Sequence, residues 1–409
     1  MSRSSATGDP SGSGPASSAS PEPHDESPEG GRRPETLPAP TERDSAPHPE
    51  RAQRSERAQR SDGTTRSDRA TRSNRLNSRR RGRLLGLGVL CCLLLLSCAL
   101  SVLIGAKLIP PGAVVDALFA SSRTENNVII YELRIPRTIA GVLAGSALGL
   151  AGALMQGYTR NPIAAPSVLG ITQGAGLAVV LAVFTMGITG MLGFIWFSFA
   201  GALISALAVF LIGSIGKGGA TPVALALAGA AISALLQALT SALVLLDRQS
   251  LDTYRFWKVG SIAVSDMGLI QRVLPFLLLG LVLGLASAPG LNALSLGDDM
   301  AAALGHNVAR SRAIGITAIA VLVGSAVAMC GPISFVGLIV PHIARYFAGP
   351  DHRWLLPFAA LGGSCLVLLA DLVGRVMARP SEIQVGVMLA MIGAPFFIAL
   401  VRRRRLMRL

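Results

Sequence analysis

The chain has 409 residues, of which 51% are hydrophobic and only 15% charged, where soluble proteins carry about 25% charged residues. With a mean hydropathy of +0.53, this excludes an ordinary soluble globule and marks a membrane protein. The net charge of +14 invites a nucleic-acid reading. Between residue 83 and the closing Arg402–Arg405 cluster, however, the basic residues are scattered between apolar runs rather than set in a stripe with interleaved aromatics, so nucleic acid is not an expected partner.

Charge is concentrated at the start, where residues 1–83 hold 28 of the 60 charged side chains. Residues 1–82 are rich in Ser, Pro, Gly, Glu and Arg and have almost no aliphatic residues, so they cannot bury enough surface to offset ordering entropy, and a disordered tail is expected. Between Arg51 and Arg75 a loose repeat of about six residues (RAQRSE, RAQRSD, GTTRSD, RATRSN) is too polar for a solenoid. A solvated linker is the simpler account; contact with anionic headgroups, at about 1 kcal/mol per basic residue, is the cheapest alternative. The tail does not have the pattern of a secretory signal.

From Leu84 onward, apolar windows recur that can each cross about 30 Å of hydrocarbon. Ten are expected: 84–105, 136–157, 168–187, 189–213, 222–246, 267–286, 313–331, 334–347, 355–374 and 385–401. The eighth is too short to cross alone and reads as a half-helix. The fold class is therefore all-α, a polytopic membrane protein with about ten transmembrane helices behind a disordered N-terminal tail. Arg79, Arg80, Arg81 and Arg83 precede the first span, and Arg402, Arg403, Arg404 and Arg405 follow the last. The excess of basic residues on the inner side then places both termini in the cytoplasm and agrees with an even number of crossings. Arg134, Arg137 and Arg375 fall outside, against that bias, and so call for a reason of their own.

Along the second span, Gly141, Gly145 and Gly149 recur every four residues and leave one helix face bare, where another helix can approach closely. Pro136 suits the first position of that helix, where its missing N–H breaks no bond. The string GSIGKGG (213–219) lacks the spacing and the Ser or Thr of a nucleotide-binding loop. The only mid-span carboxylate, Asp371, has Arg375 one turn later, so a local ion pair is the simpler account and ion coupling the rival one. Cys91, Cys92, Cys98, Cys330 and Cys365 lie in apolar stretches with neither metal-ligand spacing nor a paired pattern, and no resident cofactor or metal is expected. Between the sixth and seventh spans lies a long polar connection; Asp298 and Asp299 open a short helical stretch there that Gly305 can end. Gly331-Pro332 and Pro341 bracket a short apolar piece of the kind found in interrupted helices, and His342 beside it reads as structural.

Several long strings fall in one order: RIPRTIAGVLAGSALGLAGALMQGYTRNPIAAPSVLGITQGAG (134–176), FWKVGSI (256–262), LGDDMAAALG (296–305), GPISFVGLIVPHIAR (331–345), and ADLVGR followed by EIQVGVMLAMIGAPFF (370–375 and 382–397). Over about four-fifths of the chain this resembles the FecCD family of ABC importer permeases, which serve iron-siderophore, haem and cobalamin uptake. The resemblance implies a bacterial plasma-membrane permease that forms a homo- or heterodimer with a second permease subunit. It also implies two cytoplasmic ATPase subunits, which bind ATP and magnesium, and a siderophore-binding lipoprotein or periplasmic protein. It assigns Arg134, Arg137 and Arg375 to docking of the binding protein. Leu296, Gly297, Asp298, Asp299, Ala301, Leu304 and Gly305 fall in the segment that rests in the ATPase. Thr221 and Pro222 lie near an internal gate, and the fifth and tenth spans line the path. Gln384 stands where the family often has Pro, which bears on how the last helix begins. The implied function is uptake of an iron-siderophore complex by a non-enzymatic subunit. Haem or cobalamin uptake remains an alternative, and an ion-coupled secondary transporter using Asp371 is the rival from another class.

Overall fold

The computed structural model describes residues 80–402, apart from 106, 108, 120–123, 189, 216–220 and 265. Residues 1–79 of the expected tail, the Gly- and Lys-containing loop after residue 215, and Arg403, Arg404 and Arg405 lie outside the described residues; residues 80–82, expected in the tail, instead open the first helix. All regular structure among the described residues is helical.

The first helix, α1, spans Arg80–Leu103 and is followed by two short helices, α2 (Pro111–Phe119) and α3 (Glu125–Val128). After these come α4 (Ile135–Thr159), α5 (Ile171–Met186), α6 (Met191–Ser214), α7 (Pro222–Leu246) and α8 (Arg248–Val259). The chain continues through α9 (Met267–Ala286), α10 (Ala288–Leu294), α11 (Asp298–Ala303) and α12 (Val308–Cys330). It ends with α13 (Val336–Ala348), α14 (His352–Met377) and α15 (Val385–Arg402). Eight of these stretches are long and apolar enough to cross a bilayer, and α5 and α13 are shorter apolar helices. Together they match all ten expected spans, and the 13 residues of α13 make it the anticipated half-helix.

Two starts differ from expectation. The second span does not begin at Pro136: helix runs unbroken from Glu125, through a π-helical stretch at Ile129–Arg134, into α4. The Ile135 N–H bonds the Ile130 carbonyl, so α-type bonding is already interrupted and the missing N–H of Pro136 breaks no regular bond there. Hydropathy did not register residues 125–134 because they are polar or mixed. Likewise, Pro341 lies inside α13 rather than ending a piece; the break is at 331–335, where Phe335 is left-handed with φ 67°. The carbonyl that Pro341 leaves without its helical donor, that of Gly337 one turn earlier, accepts from Gln156 Nε2 at 3.3 Å. Arg345 in turn donates to Gln156 Oε1 at 2.5 Å.

The centre of the bundle is the antiparallel pair α4 and α14. A Cβ on Gly145 would come within 2.5 Å of the Gly363 carbonyl oxygen, one on Gly149 would collide with the Ala359 carbonyl, and one on Gly152 with Gly337 of α13. Lipid tails are as apolar as leucine, so burial alone gives helices no reason to associate; the gain comes from backbones approaching closely enough to pack. A further interlock forms where non-helical backbone enters the bundle. Ser261 N–H donates to the Cys330 carbonyl at 2.8 Å and Gly386 N–H to the Gly260 carbonyl at 3.1 Å. Segments 260–264 and 331–335 and the start of α15 therefore satisfy one another's backbone groups, as irregular chain at membrane depth must.

Gly149→Leu is expected to force α4 and α14 apart and cost more than the ~1–3 kcal/mol usual for overpacking, whereas Gly88→Leu, with open space around it, should be neutral. Thermal unfolding of the two detergent-solubilised variants checks this; equal midpoints would contradict the seam.

Candidate functional site

One end of the bundle, here the rim end, is where α1 and α14 finish and α4 begins. The last carbonyls of a helix lack intrahelical donors, and here those of α1 are capped by arginines from elsewhere. Arg134 donates through Nη1 to the Val102 and Leu103 carbonyls at 2.7 and 2.8 Å and through Nη2 to that of Lys107 at 2.7 Å. Arg375 donates through Nη1 to the Ser101 and Ile104 carbonyls, both at 2.9 Å, and through Nη2 to Ser101 Oγ at 2.9 Å. Arg379 reaches the Gly105 carbonyl at 3.2 Å. Cations at a helix C-terminus also match the negative end of its dipole.

Asp371, fully buried, lies between two guanidiniums. Arg137 Nη2 meets its Oδ1 at 2.7 Å, Arg137 Nε meets Oδ2 at 3.0 Å, and Arg375 Nε lies 3.0 Å from Oδ2. Arg137 also pairs with Glu382. The Asp371–Arg375 pair is the one its helical spacing suggested. Arg137, 234 residues away, is the stronger partner and left no local signal. A carboxylate held by two arginines has no free face for a carried ion, which counts against ion coupling at Asp371.

The three arginines assigned to docking are thus brought together, but not as free surface groups. Arg134 is 4% exposed and Arg375 1%, and both are engaged by this chain's own oxygens. With Lys107, Arg137, Glu382 and the apolar Leu133 and Val264, they line an open cavity of about 350 Å³. Four cations against one carboxylate make its wall basic. Lys107, half-exposed, pairs with Glu125 at 2.5 Å, and a pair so open to water contributes little.

At the opposite, base end, α11 forms where Asp298 and Asp299 predicted a helix start, and both occupy its first turn. Gly297 before it has φ +111° and Gly305 after it +82°, conformations that glycine adopts without penalty. Leu296, Met300 and Leu304 protrude, each about 60% exposed. Ala301, placed by the resemblance in the same contact segment, is instead fully buried. It faces the bundle because a six-residue helix needs an inward anchor. Asp298 is the other anchor: Arg160, the left-handed residue capping α4, meets Oδ1 at 2.5 Å, and Arg312 of α12 meets Oδ2 at 2.7 Å. Arg160 also donates to the Leu294 carbonyl at 2.6 Å. Partial burial alone would raise the Asp298 pKa, but the hydrogen bonds and charges of Arg312 and Arg160 hold it below the usual carboxylate range. The clamp, with partners 138 and 14 residues distant, could not be read from sequence.

Thr221 caps α7, its Oγ1 accepting from the Ala224 N–H at 3.2 Å, and Pro222 takes the first helical position; the loop preceding them lies outside the described residues. His342 packs edge-to-face on Phe396 with ring centroids 6.0 Å apart, a packing role. Sequence reasoning missed α8, whose buried face of Ser250, Tyr254 and Trp257 lies against Gly176 of α5. Asp247 as its cap and apolar residues at 251, 254 and 257 were the available signal.

These features were compared with known proteins. Residues 93–403 match the model of the FecCD transport family. The chain is 46% identical over 312 residues to the ferric enterobactin transport system permease protein FepD of Escherichia coli (strain K12), covering 76% of this chain and 93% of that one. It is 39% identical over 283 residues to the hemin transport system permease protein HmuU of Yersinia pestis, covering 68% and 84%. A solved structure of a metal-chelate type ABC transporter in an inward-facing conformation superposes with a TM-score of 0.68 at 30% identity, covering 78% of this chain and 98% of that one. The described helices, the two specialised ends and these matches agree: the chain belongs to the FecCD transport family and is a membrane-spanning permease of the ABC-importer type.

Proposed function

We propose that this permease carries a ferric siderophore across a bacterial plasma membrane, with both termini in the cytoplasm, the rim end outside and the base end inside. A lipoprotein or periplasmic binding protein delivers the chelate to the rim. Two ATPase subunits, holding ATP and magnesium, grip the base end, and a second permease subunit completes the path. The observation that carries the reading is the opposition of two built ends on one rigid core: a basic cavity lined by Arg134, Arg137 and Arg375, and a protruding helix clamped through Asp298.

At the rim, an acidic side chain of the binding protein enters the cavity and competes with Glu382 for Arg137, while Arg134 and Arg375 hold the rim in shape. Opposite charges across such a contact raise the rate of association and fix its register. At the base, Leu296, Met300 and Leu304 seat in the ATPase beside Asp299, with Gly297 and Gly305 setting the helix's limits. Asp298 passes displacement to α4 and α12. Thr221 and Pro222 stand at the inner gate. The siderophore reading is favoured over haem or cobalamin because the 46% identical relative is named for ferric enterobactin transport, against 39% for the hemin permease and 40% for a cobalamin permease of Halobacterium salinarum.

Vesicles containing the permease, its ATPase and its binding protein are expected to accumulate ferric siderophore only with ATP; accumulation driven by an ion gradient with no nucleotide hydrolysed would overturn the assignment. Lys107→Glu is expected to slow binding-protein association about 3–10-fold at low ionic strength, with the difference fading as salt screens it; an unchanged rate defeats the docking role. Asp298→Asn should leave ATP hydrolysis near normal while transport per ATP falls at least about fivefold, since breaking one side of the clamp frees α11 from α4 and α12. Because the folded pKa of Asp298 is depressed, the stability its charge gives is present above the unfolded carboxylate value, about 3.9. It is lost only as pH falls through the folded value, so coupling through this group should be flat between about pH 5 and 8.

A further inference from the structure

A groove of about 540 Å³ runs between α1, α13 and α14 at the base end, walled by Val89, Leu93, Ile343, Phe347, Phe358 and Leu366. Gly86 and Gly362 also line it and contribute no side chain to fill it. Hydrocarbon cannot leave such a recess empty without losing its contacts, so in a bilayer some chain occupies it. Along α14 the lining extends from Phe358 to Leu369, eleven steps or about 16 Å at 1.5 Å per residue. That is the depth of one leaflet of a core about 30 Å thick.

The mouth of the groove is marked twice. Tyr346 and Phe347, both exposed, meet edge to face with ring centroids 5.2 Å apart near the end of α13, and Trp354 stands near the start of α14, as aromatic residues do at the headgroup level. Arg83 lies one turn before Gly86, with its guanidinium 5.9 Å from the centroid of the Trp354 ring and its Nη2 against Gly349. Among the described residues, Arg83 forms no ion pair, nor do the exposed Arg80, Arg81 and Arg353. The local carboxylate, Asp351, accepts from Asn292 Nδ2 at 2.7 Å and from the Arg353 N–H at 3.0 Å. A cation at headgroup height with no counter-ion among the described residues, above a recess one leaflet deep, distinguishes this groove from an ordinary lipid-facing helix surface.

We propose that the groove binds one anionic phospholipid, an acyl chain lying between α1, α13 and α14 and the phosphate-bearing headgroup on Arg83. Its occupant bridges the peripheral α1 to the half-helix α13.

The test is native mass spectrometry of the full-length chain with its partners, titrated in neutral detergent with phosphatidylglycerol or phosphatidylcholine of identical acyl chains. Phosphatidylglycerol is expected to be retained at least about fivefold better, the factor one arginine near an anionic surface supplies. Arg83→Gln should abolish that preference, Arg83→Lys should keep most of it, and Ala344→Trp, filling the groove, should reduce retention of both lipids. Arg402→Gln, at the same end on α15, should change nothing. Equal retention of the two lipids by the parent chain overturns the site, as does a preference that survives Arg83→Gln. Loss of preference in Arg402→Gln also refutes it, by showing general surface attraction instead.

Discussion

The structure depends on how closely α4 and α14 pass each other. Four small positions on α4, 141, 145, 149 and 152, face Leu368, Gly363, Ala359 and Gly337 with no room for a side chain. In lipid, where apolar burial gives no net preference, such backbone contact and interhelical hydrogen bonds are what fix a partner and a register. At the rim, the register is locked by Asp371 between Arg137 and Arg375; at the base, by the Arg345–Gln156–Gly337 chain. Moving α14 by one turn along α4 would place methyl-bearing residues over carbonyls and leave Asp371 buried with only its own-helix arginine. Packing and polar specificity therefore select the same alignment.

That alignment explains a cluster of buried charge that would otherwise be costly. Three arginines near a membrane interface repel one another and lose water, and breaking a buried pair costs several kcal/mol. Here each guanidinium meets oxygen: carboxylate for Arg137, carbonyls of α1 for Arg134, and both for Arg375. The C-terminus of α1 needs donors as much as the arginines need acceptors, so each satisfies the other. α1 is held this way although only 11% of its apolar window is buried, so the rim arginines tie a lipid-facing helix to the core as well as lining the cavity.

What was legible in the sequence was what depends on neighbours within a turn or two. Hydropathy over about 20 residues located all ten membrane helices, four-residue spacing exposed the glycine face, and the Asp371–Arg375 spacing gave the local ion pair. What was hidden depends on residues far apart along the chain. Arg137 reads as a cation at the outer start of the second span until α14 brings Asp371 beside it. Asp298 reads as a helix-start acid until Arg160 and Arg312 converge on it. Arg134 and Arg375 were expected at an exposed face because composition reports charge, not the carbonyls waiting for it. α8 was missed because its hydropathy is diluted by Arg, Asp and Lys, although its buried residues, Ser250, Tyr254 and Trp257, fall at helical spacings of four and three.

The two ends are joined by the least deformable part of the molecule. α4 has 25 residues, about 37 Å at 1.5 Å per residue, with its rim end in the Arg137–Asp371 clasp and its base end, Arg160, on Asp298. α12, the other helix clamped to Asp298 through Arg312, has 83% of its apolar window buried, and α4 78%, against 22% for α7 and 28% for α15. Close-packed interiors transmit displacement rather than absorb it. In the proposed importer, then, a push on α11 would not bend the chain between its ends. It would move α4, α12 and α14 as one body, and the change of shape would fall where burial is low: along the exposed faces of α7 and α15 and at the surface shared with a second permease subunit, as in rigid-body switching about an interface.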